Sequence, residues 1–349
     1  MINRKVIALS VIACSFYLLG LPSRAAAQES FYKGKMFKIV VGSPPGGFYD
    51  AWARLLSRHM PKYIPGNPGS IVQNMPGAGS LVAANYVYNL AKPDGLSVVM
   101  PNGKIYMDQL AGRPEAKFDV RKFSWLGTQE KTHMLLYMRS DTPYTTLAEI
   151  RRAKEPPKCG SSGTNDAGFL LPKVLEEVFG IKFNLVSGYI GGTQIDIAVE
   201  RNEIVCRGMA ITSHSGREPF ETWHKKGFDR HLVQTARKRD PRMADAATFY
   251  ELMDQEKVSE MSRRVAHVIL MGGEFGRPML ATPGVPAERV SALRQAYVQA
   301  LKDPELLAEA RRAKMDIDPV TGEELQTLIQ EVMNQPAEVI ERAKKFLAN

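Results

Sequence analysis

The sequence predicts an α/β protein with two lobes, on three observations. Short apolar runs rich in β-forming residues alternate with segments of helical periodicity, a pattern typical of βαβ units with mainly parallel sheets. The alternation forms two series, which begin at Phe37 and at Lys158. Residues 140–143 (SDTP) and 237–241 (RKRDP) interrupt it. We therefore expect two α/β lobes joined by crossing segments, with the second lobe inserted into the first.

Nine segments have the composition of strands. In chain order they are residues 37–41, 70–74, 96–100, 134–139, 158–161, 183–187, 204–207, 231–235 and 265–271. Apolar residues recur at helical spacing within 52–59, 171–178 and 195–199, which predicts helices there. From residue 286 the chain is strongly helical, and Asp303 followed by Pro304 is a typical helix start. Another amphipathic helix is predicted over residues 322–333.

The first residues are predicted to be a secretory signal peptide. Arg4 and Lys5 precede a largely apolar run over residues 6–21, and residues 25–27 (AAA) form a cleavage signature. Cleavage would then precede Gln28. Two alternatives stay open: a single-span anchor, and a lipid anchor on Cys14, because residues 11–14 (VIAC) are similar to a lipoprotein box.

These boundaries divide the chain into three parts. Residues 1–27 are the signal peptide, residues 28–139 with 236–349 form lobe 1, and residues 140–235 form lobe 2. The charge of the whole chain is +9. The signal peptide carries three basic residues and no acidic one, so the exported part has a charge of +6. Basic clusters interleaved with aromatic residues are missing, so we expect no nucleic-acid partner.

Composition excludes two other classes of protein. With 44% hydrophobic and 24% charged residues, the chain is typical of a globular protein and not of a disordered one. Outside the N-terminus no apolar run approaches the length of a membrane span, so a multi-span channel or transporter is excluded.

Three turns are rich in glycine and small polar residues: 42–50 (GSPPGGFYD), 160–166 (GSSGTND) and 188–193 (GYIGGT). Each follows a predicted strand and opens a predicted helix, which is where open α/β sheets bind ligands. Helix N-termini favour anions, and glycine lets a ligand approach the backbone. Two such turns facing each other would hold a carboxylate. The alternatives are that they are only tight turns, and that Asp50 and Asp166 are helix caps.

Motifs of catalysis and of cofactor binding are missing. The sequence has no GxSxG, HExxH or GxxxxGK[ST] pattern, and the turn at 76–80 (PGAGS) fails the dinucleotide pattern because Val82 stands at its sixth position. The six histidines are scattered without metal-ligand spacing. We therefore expect no enzyme, no cofactor and no metal site.

Several motifs together resemble one family. They are PPGGFYDAWAR at 44–54, NMPGAG at 74–79, PDG at 93–95, SSG at 161–163, YIGG at 189–192 and ATPGVPAE at 281–288. In order and spacing they resemble the substrate-binding proteins of tripartite tricarboxylate transporters, also called the Bug receptor family. The resemblance covers residues from about 31 to about 345.

The resemblance implies a type II periplasmic binding fold, with a hinge and a ligand cleft between two lobes. It implies a monomeric periplasmic receptor that closes on a small organic carboxylate and presents it to membrane transporter subunits. A periplasmic sensor feeding a signalling kinase and a periplasmic enzyme on this fold are the alternatives. The residues that would contact the ligand are Gly46, Gly47, Phe48, Tyr49, Asp50, Ser161, Ser162, Gly163, Thr164, Asn165, Tyr189, Gly191, Gly192 and Thr193.

The chain departs from the family pattern at two places. Asn165 and Asp166 stand where small residues are expected, and residues 203–209 (EIVCRGM) differ from the common family form, which carries an acidic residue near the cleft. Arg207 or Met209 could therefore shape the far end of the ligand. The ligand itself stays open among dicarboxylates, tricarboxylates, aromatic acids and amino acids.

Two cysteines, Cys159 and Cys206, remain after export. In exported proteins such a pair forms a disulfide more often than a metal site. Cys159 opens the first strand of lobe 2, and Cys206 lies on a later strand that in the resembled fold is its neighbour. We therefore expect a Cys159–Cys206 disulfide.

Overall fold

The computed structural model describes residues 31–163, 166–215 and 218–348. The predicted signal peptide, Cys14, Thr164 and Asn165 lie outside the described residues. The described strands are β1 Met36–Val41, β2 Gly69–Asn74, β3 Ser97–Met100, β4 Ser124–Thr128, β5 Met134–Arg139, β6 Lys158–Ser161, β7 Asn184–Ser187, β8 Cys206–Ala210, β9 Asp229–Gln234, β10 Ala247–Thr248, β11 Pro278–Ala281 and β12 Val320–Thr321.

Helices fill most of the connections between these strands. In chain order they are α1 Phe48–His59, α2 Leu81–Asn89, α3 Ile105–Leu110, α4 Leu147–Arg151, α5 Ala167–Phe179, α6 Gly192–Glu200, α7 Ile211–His214, α8 Phe220–Lys225, α9 Phe249–Gln255, α10 Glu260–Leu270, α11 Gly272–Phe275, α12 Ala287–Ala300, α13 Pro304–Arg312, α14 Gly322–Met333 and α15 Ala337–Ala348. Short 3-10 turns cover Met60–Tyr63, Ala78–Ser80 and Pro241–Met243. Of the described helices, none combines the length and the apolar character needed to cross a bilayer.

The strands form two six-stranded sheets, in the orders β12-β4-β11-β3-β1-β2 and β10-β9-β5-β8-β6-β7. The predicted pair of α/β lobes is therefore confirmed. Pairing is parallel among β1, β2 and β3 and among β6, β7 and β8. It is antiparallel where β11 and β12 meet the first sheet and where β5 meets the second. The sheets are thus mixed, and their parallel parts carry the glycine-rich turns.

The chain crosses between the sheets twice. It leaves the first sheet after Thr128 and enters the second at Met134, and it returns between Thr248 and Pro278. The sequence-based division placed residues 134–139 in lobe 1, whereas β5 pairs with β8 and β9 in the second sheet. Likewise β10 lies in the second sheet, beyond the expected return at residue 236.

The segment 265–271, predicted as a strand, is helical and belongs to α10. Its valines and isoleucine favour strands when taken alone. However, Val265, Val268 and Ile269 recur at helical spacing and are fully buried in the core cluster that extends through both lobes. The side chain of Ser259 caps the helix by accepting a hydrogen bond from the Ser262 amide. Tertiary burial thus outweighs the local β propensity.

The disulfide prediction is confirmed. Cys159 on β6 and Cys206 on β8 are directly paired in the parallel register, their Cα atoms are 4.5 Å apart, and the two residues are bonded. The bond closes a loop of 47 residues inside the second lobe.

Candidate functional site

The first glycine-rich turn is held together by Asp50. The Asp50 carboxylate accepts hydrogen bonds from the Gly46 amide at 2.9 Å, from Arg54 Nε at 3.0 Å and from Asn74 Nδ2 at 3.0 Å. Burial alone would raise the pKa of Asp50, but these hydrogen bonds outweigh burial and lower it. The carboxylate and the Gly46 N–H therefore bind each other instead of pointing at a ligand. Gly46 has a φ of +85°, which favours glycine.

Phe48 and Tyr49, predicted as ligand contacts, pack on an arginine. The Cζ atom of Arg277 lies 4.9 Å from the ring centroid of Phe48 and 5.3 Å from that of Tyr49. Both rings are half-buried. Arg277 also forms a buried ion pair with Glu130, whose Oε1 accepts a hydrogen bond of 2.8 Å from Trp52 Nε1. Helix α1 thus supplies the aromatic groups that hold the guanidinium.

The second turn also satisfies its own polar groups. Ser161 Oγ donates to the Gly163 carbonyl at 2.9 Å and accepts from the Gly163 amide at 3.1 Å. Ser162 Oγ donates to Asp166 Oδ2 at 2.7 Å. Asp166 caps α5 by accepting from the Gly168 amide at 2.6 Å. Asp166 is therefore a helix cap, as one of its two alternatives predicted, and it also lines the cavity described below.

The third turn supports a cation of the second lobe. A Cβ atom on Gly192 would lie 2.4 Å from Arg207 Nη2, so only glycine leaves room for the guanidinium there. Arg207 forms an ion pair with Asp196. Tyr189 packs on the core of the second lobe, whereas Thr193 is exposed and a Cβ atom on Gly191 would have no neighbour within 4 Å.

A cavity of about 220 Å³ lies between the two lobes. Residues that follow strands of both sheets line it, together with residues of the two crossing segments. They are Tyr49, Asn102, Lys104, Thr132, Met134, Asp166, Ala167, Arg207, Gly208, Met209, Ala210, Ser213, Gly272, Gly276 and Arg277. The ends of the first two turns therefore meet at one place, and we call this space the interlobe cavity.

Only some of the residues predicted for the site line this cavity. Tyr49 does, and so do Arg207 and Met209, which the departures from the family pattern had indicated. The remaining described residues of the predicted set are not among those that line it: Gly46, Gly47, Phe48, Asp50, Ser161, Ser162, Gly163, Tyr189, Gly191, Gly192 and Thr193. Their contact with a ligand stays a prediction.

Sequence reasoning missed two cations of the cavity, Lys104 and Arg277. Lys104 stands in the turn after β3, which pairs with β1. That turn contains Gly103, and a Cβ atom added there would lie 2.4 Å from the Gly276 carbonyl oxygen. A further glycine turn after a predicted strand was the available signal. Arg277 directly precedes β11, which was not predicted, so no strand end drew attention to it.

Three cationic side chains therefore line one small cavity, each near an acidic group. Burial lowers the pKa of Lys104 to about 8, although the charge of Asp166 opposes this. Burial raises the pKa of Asp196, which Arg207 opposes, and burial raises the pKa of Glu130, which Arg277 opposes. Within the described chain the Nε atoms of Arg207 and Arg277 are buried and have no hydrogen-bond partner.

A larger surface groove of about 580 Å³ lies between α5 and α15. Four of its five charged side chains are paired with each other: Arg342 Nε is 2.6 Å from Glu177 Oε1, and Lys173 Nζ is 3.8 Å from Glu176 Oε2. None of the three glycine-rich turns lines it. We therefore take the interlobe cavity as the candidate site.

Comparison with known proteins is consistent with this geometry. The family model TctC, the tripartite tricarboxylate transporter family receptor, matches residues 53–344. No curated protein matches the chain in sequence.

Solved structures of similar fold cover nearly all of the chain. A TctC solute binding protein from Polaromonas, without ligand, has 18% identity and a TM-score of 0.67, covering 91% of this chain and 99% of its own. MatC from Rhodopseudomonas palustris with bound malate has 20% identity and a TM-score of 0.60, covering 90% and 99%. Rpa4515 from R. palustris with adipate has 16% identity and a TM-score of 0.62, covering 90% and 97%. The predicted fold, type II periplasmic binding protein with two lobes, is confirmed.

Proposed function

Because the chain belongs to the tripartite tricarboxylate transporter receptor family, as its motifs predicted, we propose that it is a periplasmic receptor for a small organic carboxylate. It binds this anion in the interlobe cavity and delivers it to the membrane subunits of a tripartite transporter. The observation that carries the proposal is the convergence of Lys104, Arg207 and Arg277 on one cavity between the lobes.

The proposed ligand is a small dicarboxylate. A cavity of about 220 Å³ is smaller than the roughly 300–1,000 Å³ of pockets for drug-sized ligands. Malate and adipate, found in two proteins of similar fold, are small dicarboxylates. Hydrogen bonds to charged groups contribute roughly 1.5–3 kcal/mol each, so a few of them reach the ~8 kcal/mol of a micromolar complex.

The positions of the cations suit binding by closure. Arg207 lies on β8 of the second sheet, while Lys104 follows β3 of the first sheet and Arg277 lies in the returning segment. An anion that contacts all three is bound completely only when the lobes are together, so it favours the closed state. The glycine-rich turns serve this site as supports: Gly192 leaves room for Arg207, and Phe48 packs on Arg277.

The first test is a thermal-shift panel on the full exported chain. Binding stabilises the folded state by mass action, so we expect malate, adipate or a related diacid to raise the melting temperature and neutral sugars to leave it unchanged. Lys104→Met should lose most of the shift, whereas Lys302→Met, at an exposed lysine outside the cavity, should keep it. A shift with sugars and none with any acid would contradict the proposal.

A second pair of measurements separates receptor, enzyme and sensor. After incubation with the protein, the ligand should be recovered unchanged, because a receptor performs no chemistry on it. Vesicles containing the membrane subunits should accumulate the labelled acid only when the receptor is added. Conversion of the acid would favour an enzyme, and binding without uptake would favour a sensor.

A further inference from the structure

Three histidines and two aspartates form a cluster in the second lobe that the proposed function does not use. His214 ends α7, His224 lies on α8, and Asp229 and His231 stand on β9. Alternate residues of a strand point to the same face, so Asp229 and His231 face one side of the sheet. Asp245 approaches from the segment before β10. None of these residues lines the interlobe cavity.

The spacing of the ligand atoms fits a metal ion. One ring nitrogen each of His214 and His231 and one oxygen of Asp229 lie within 4.8 Å of one another. His214 Nε2 is 2.8 Å and His231 Nε2 is 3.6 Å from Asp229 Oδ2. Tetrahedral zinc has bonds of roughly 2.0–2.2 Å, which places its ligand atoms roughly 3.3 Å apart. Small side-chain movements would bring all three atoms into that arrangement.

Two atoms of the cluster are buried without a partner. Within the described residues, neither Asp229 Oδ1 nor His231 Nε2 has a hydrogen-bond partner. The side chains are 0% and 1% exposed. Polar groups at this depth are nearly always paired, and leaving one unpaired is costly. A bound cation would satisfy both atoms.

The remaining contacts orient the ligands as metal sites require. His231 Nδ1 is 2.9 Å from Asp245 Oδ1. When a carboxylate accepts the proton of one imidazole nitrogen, the lone pair of the other nitrogen is left for a metal. That tautomer would place the lone pair of His231 Nε2 on the side of Asp229, whose Oδ2 is 3.6 Å away. The ring of Phe220 stacks on His214 at 4.9 Å and holds that imidazole in place.

His224 completes the set from the solvent side. Its Nδ1 is 3.7 Å from Asp229 Oδ1, and its side chain is 58% exposed. Its ring stacks on that of His231 with the centroids 4.9 Å apart. A rotation of this exposed side chain, away from its stack on His231, would let it act as a fourth ligand, and an ion can arrive at this place from solvent.

We propose that His214, His224, Asp229 and His231 bind a divalent transition-metal ion, with zinc as the expected occupant. Nitrogen and oxygen donors in tetrahedral number are the set that zinc accepts. The proposal goes beyond the carboxylate receptor function and does not depend on it.

A second group, His59 with Asp303 and Glu305, has a similar composition but already has a cation beside it. Lys62 forms an ion pair with Asp303, and Asp303 Oδ1 accepts a hydrogen bond of 2.9 Å from the Glu305 amide. The lysine ammonium already occupies the place that a cation would take. We therefore expect this group to bind no zinc.

The experiment is a zinc titration of the full exported chain by calorimetry, after removal of any purification tag and treatment with a chelator. We expect one zinc ion per chain and a higher melting temperature with zinc. Cobalt(II) should give the intense visible absorption of a tetrahedral site. His224→Ala, at an exposed side chain, should weaken zinc binding at least about tenfold, and His231→Gln should abolish it. His267→Asn, a histidine of α10 outside the cluster, should bind as the wild type does.

Two results would overturn the proposal. The first is the absence of binding heat and of a melting shift with zinc. The second is zinc binding that His224→Ala leaves unchanged, which would remove His224 from the ligand set and contradict the proposed four-residue site. Should His231→Gln fail to fold, the His224→Ala titration decides alone, because that side chain is exposed.

Discussion

The ammonium group of Lys104 makes anion binding depend on pH. Burial lowers its pKa from 10.5 to about 8, so in the free protein it loses its proton as the pH rises through about 8. We expect the affinity for a dicarboxylate to fall roughly tenfold or more above that pH, because one charged hydrogen bond of roughly 1.5–3 kcal/mol is lost. Calorimetric titrations from neutral to alkaline pH measure this.

The same titrations also test whether anion binding is coupled to protonation of Lys104. A bound anion stabilises the charged lysine and raises its pKa, so binding above about pH 8 should take up a proton and its heat should depend on the buffer. Lys104→Met should bind more weakly and without this dependence. An affinity that stays constant over the range in the wild type would show that Lys104 does not contact the anion.

Gly192 offers a test of whether Arg207 belongs to the site. Its Cβ would lie 2.4 Å from Arg207 Nη2, whereas a Cβ on Gly191 would have no atom within 4 Å. Gly191 has a φ of −176°, an extended conformation open to any residue. We expect Gly192→Ala to displace the guanidinium and weaken ligand binding severalfold with little loss of stability, and Gly191→Ala to weaken binding less, because its Cβ leaves Arg207 in place. Calorimetry measures the affinity of both variants, and thermal melting measures their stability. Equal affinities of Gly192→Ala and the wild type would show that Arg207 does not contact the ligand.

At the scale of single residues, the sequence predicted the place of the interlobe cavity better than the residues that line it. Glycine-rich turns after strands located the cavity, because the ends of parallel strands share one edge of a sheet. The sequence could not show that the Asp50 carboxylate accepts the hydrogen bond of the Gly46 N–H. A helix cap and a ligand contact, the two alternatives for that aspartate, fit the same local sequence pattern. Lys104, Arg207 and Arg277 are far apart in the chain, and only the crossing between lobes brings them together.

Among the elements, β6 and β8 are joined by the Cys159–Cys206 disulfide. A bond that closes 47 residues restricts the unfolded chain and stabilises the fold by about 2–4 kcal/mol. We expect the double variant Cys159→Ala with Cys206→Ala to lose about that much in urea unfolding. Ligand affinity should change little, because neither cysteine lines the cavity. The reduced wild type is the matched comparison, and equal stability of the two oxidation states would contradict this expectation.

The sequence missed those elements in which tertiary packing outweighs the local propensity of the residues. Strands β4 and β11 are short, and β4 contains Gly127 with a φ of +152° while β11 begins with Pro278. Both residues are depleted in strands. Conversely, the β-branched residues of α10 suggested a strand. These residues are buried against residues of both lobes, and this packing favours a helix. Regular βαβ repeats were predictable, whereas the strands and the helix next to the crossing segments were not.

In the whole molecule, the two crossing segments meet at a buried ion pair. Glu130 lies in the outgoing segment and Arg277 in the returning one, and both are buried. Trp52 of α1 donates to the same carboxylate, and a Cβ on Gly276 would lie 1.8 Å from the Glu130 carbonyl oxygen. The two crossing segments are thus packed tightly around one charge pair, which also presents Arg277 to the cavity.

Removing one partner of this pair should destabilise the whole molecule. Arg277→Met leaves the Glu130 carboxylate buried and uncompensated, which costs about 3–5 kcal/mol. Burial raises the pKa of Glu130, and without Arg277 the rise is larger. The folded state then takes up a proton more readily than the unfolded state, so the loss should be smaller at acid pH than at neutral pH. Urea unfolding at both pH values measures this loss of stability.

Adding Glu130→Gln to Arg277→Met should restore part of the stability and remove the pH dependence. It should not restore anion affinity, because Arg277 is still missing from the cavity. A loss that is the same at both pH values would mean that packing of Arg277 on Phe48 and Tyr49, and not charge, holds the lobes together.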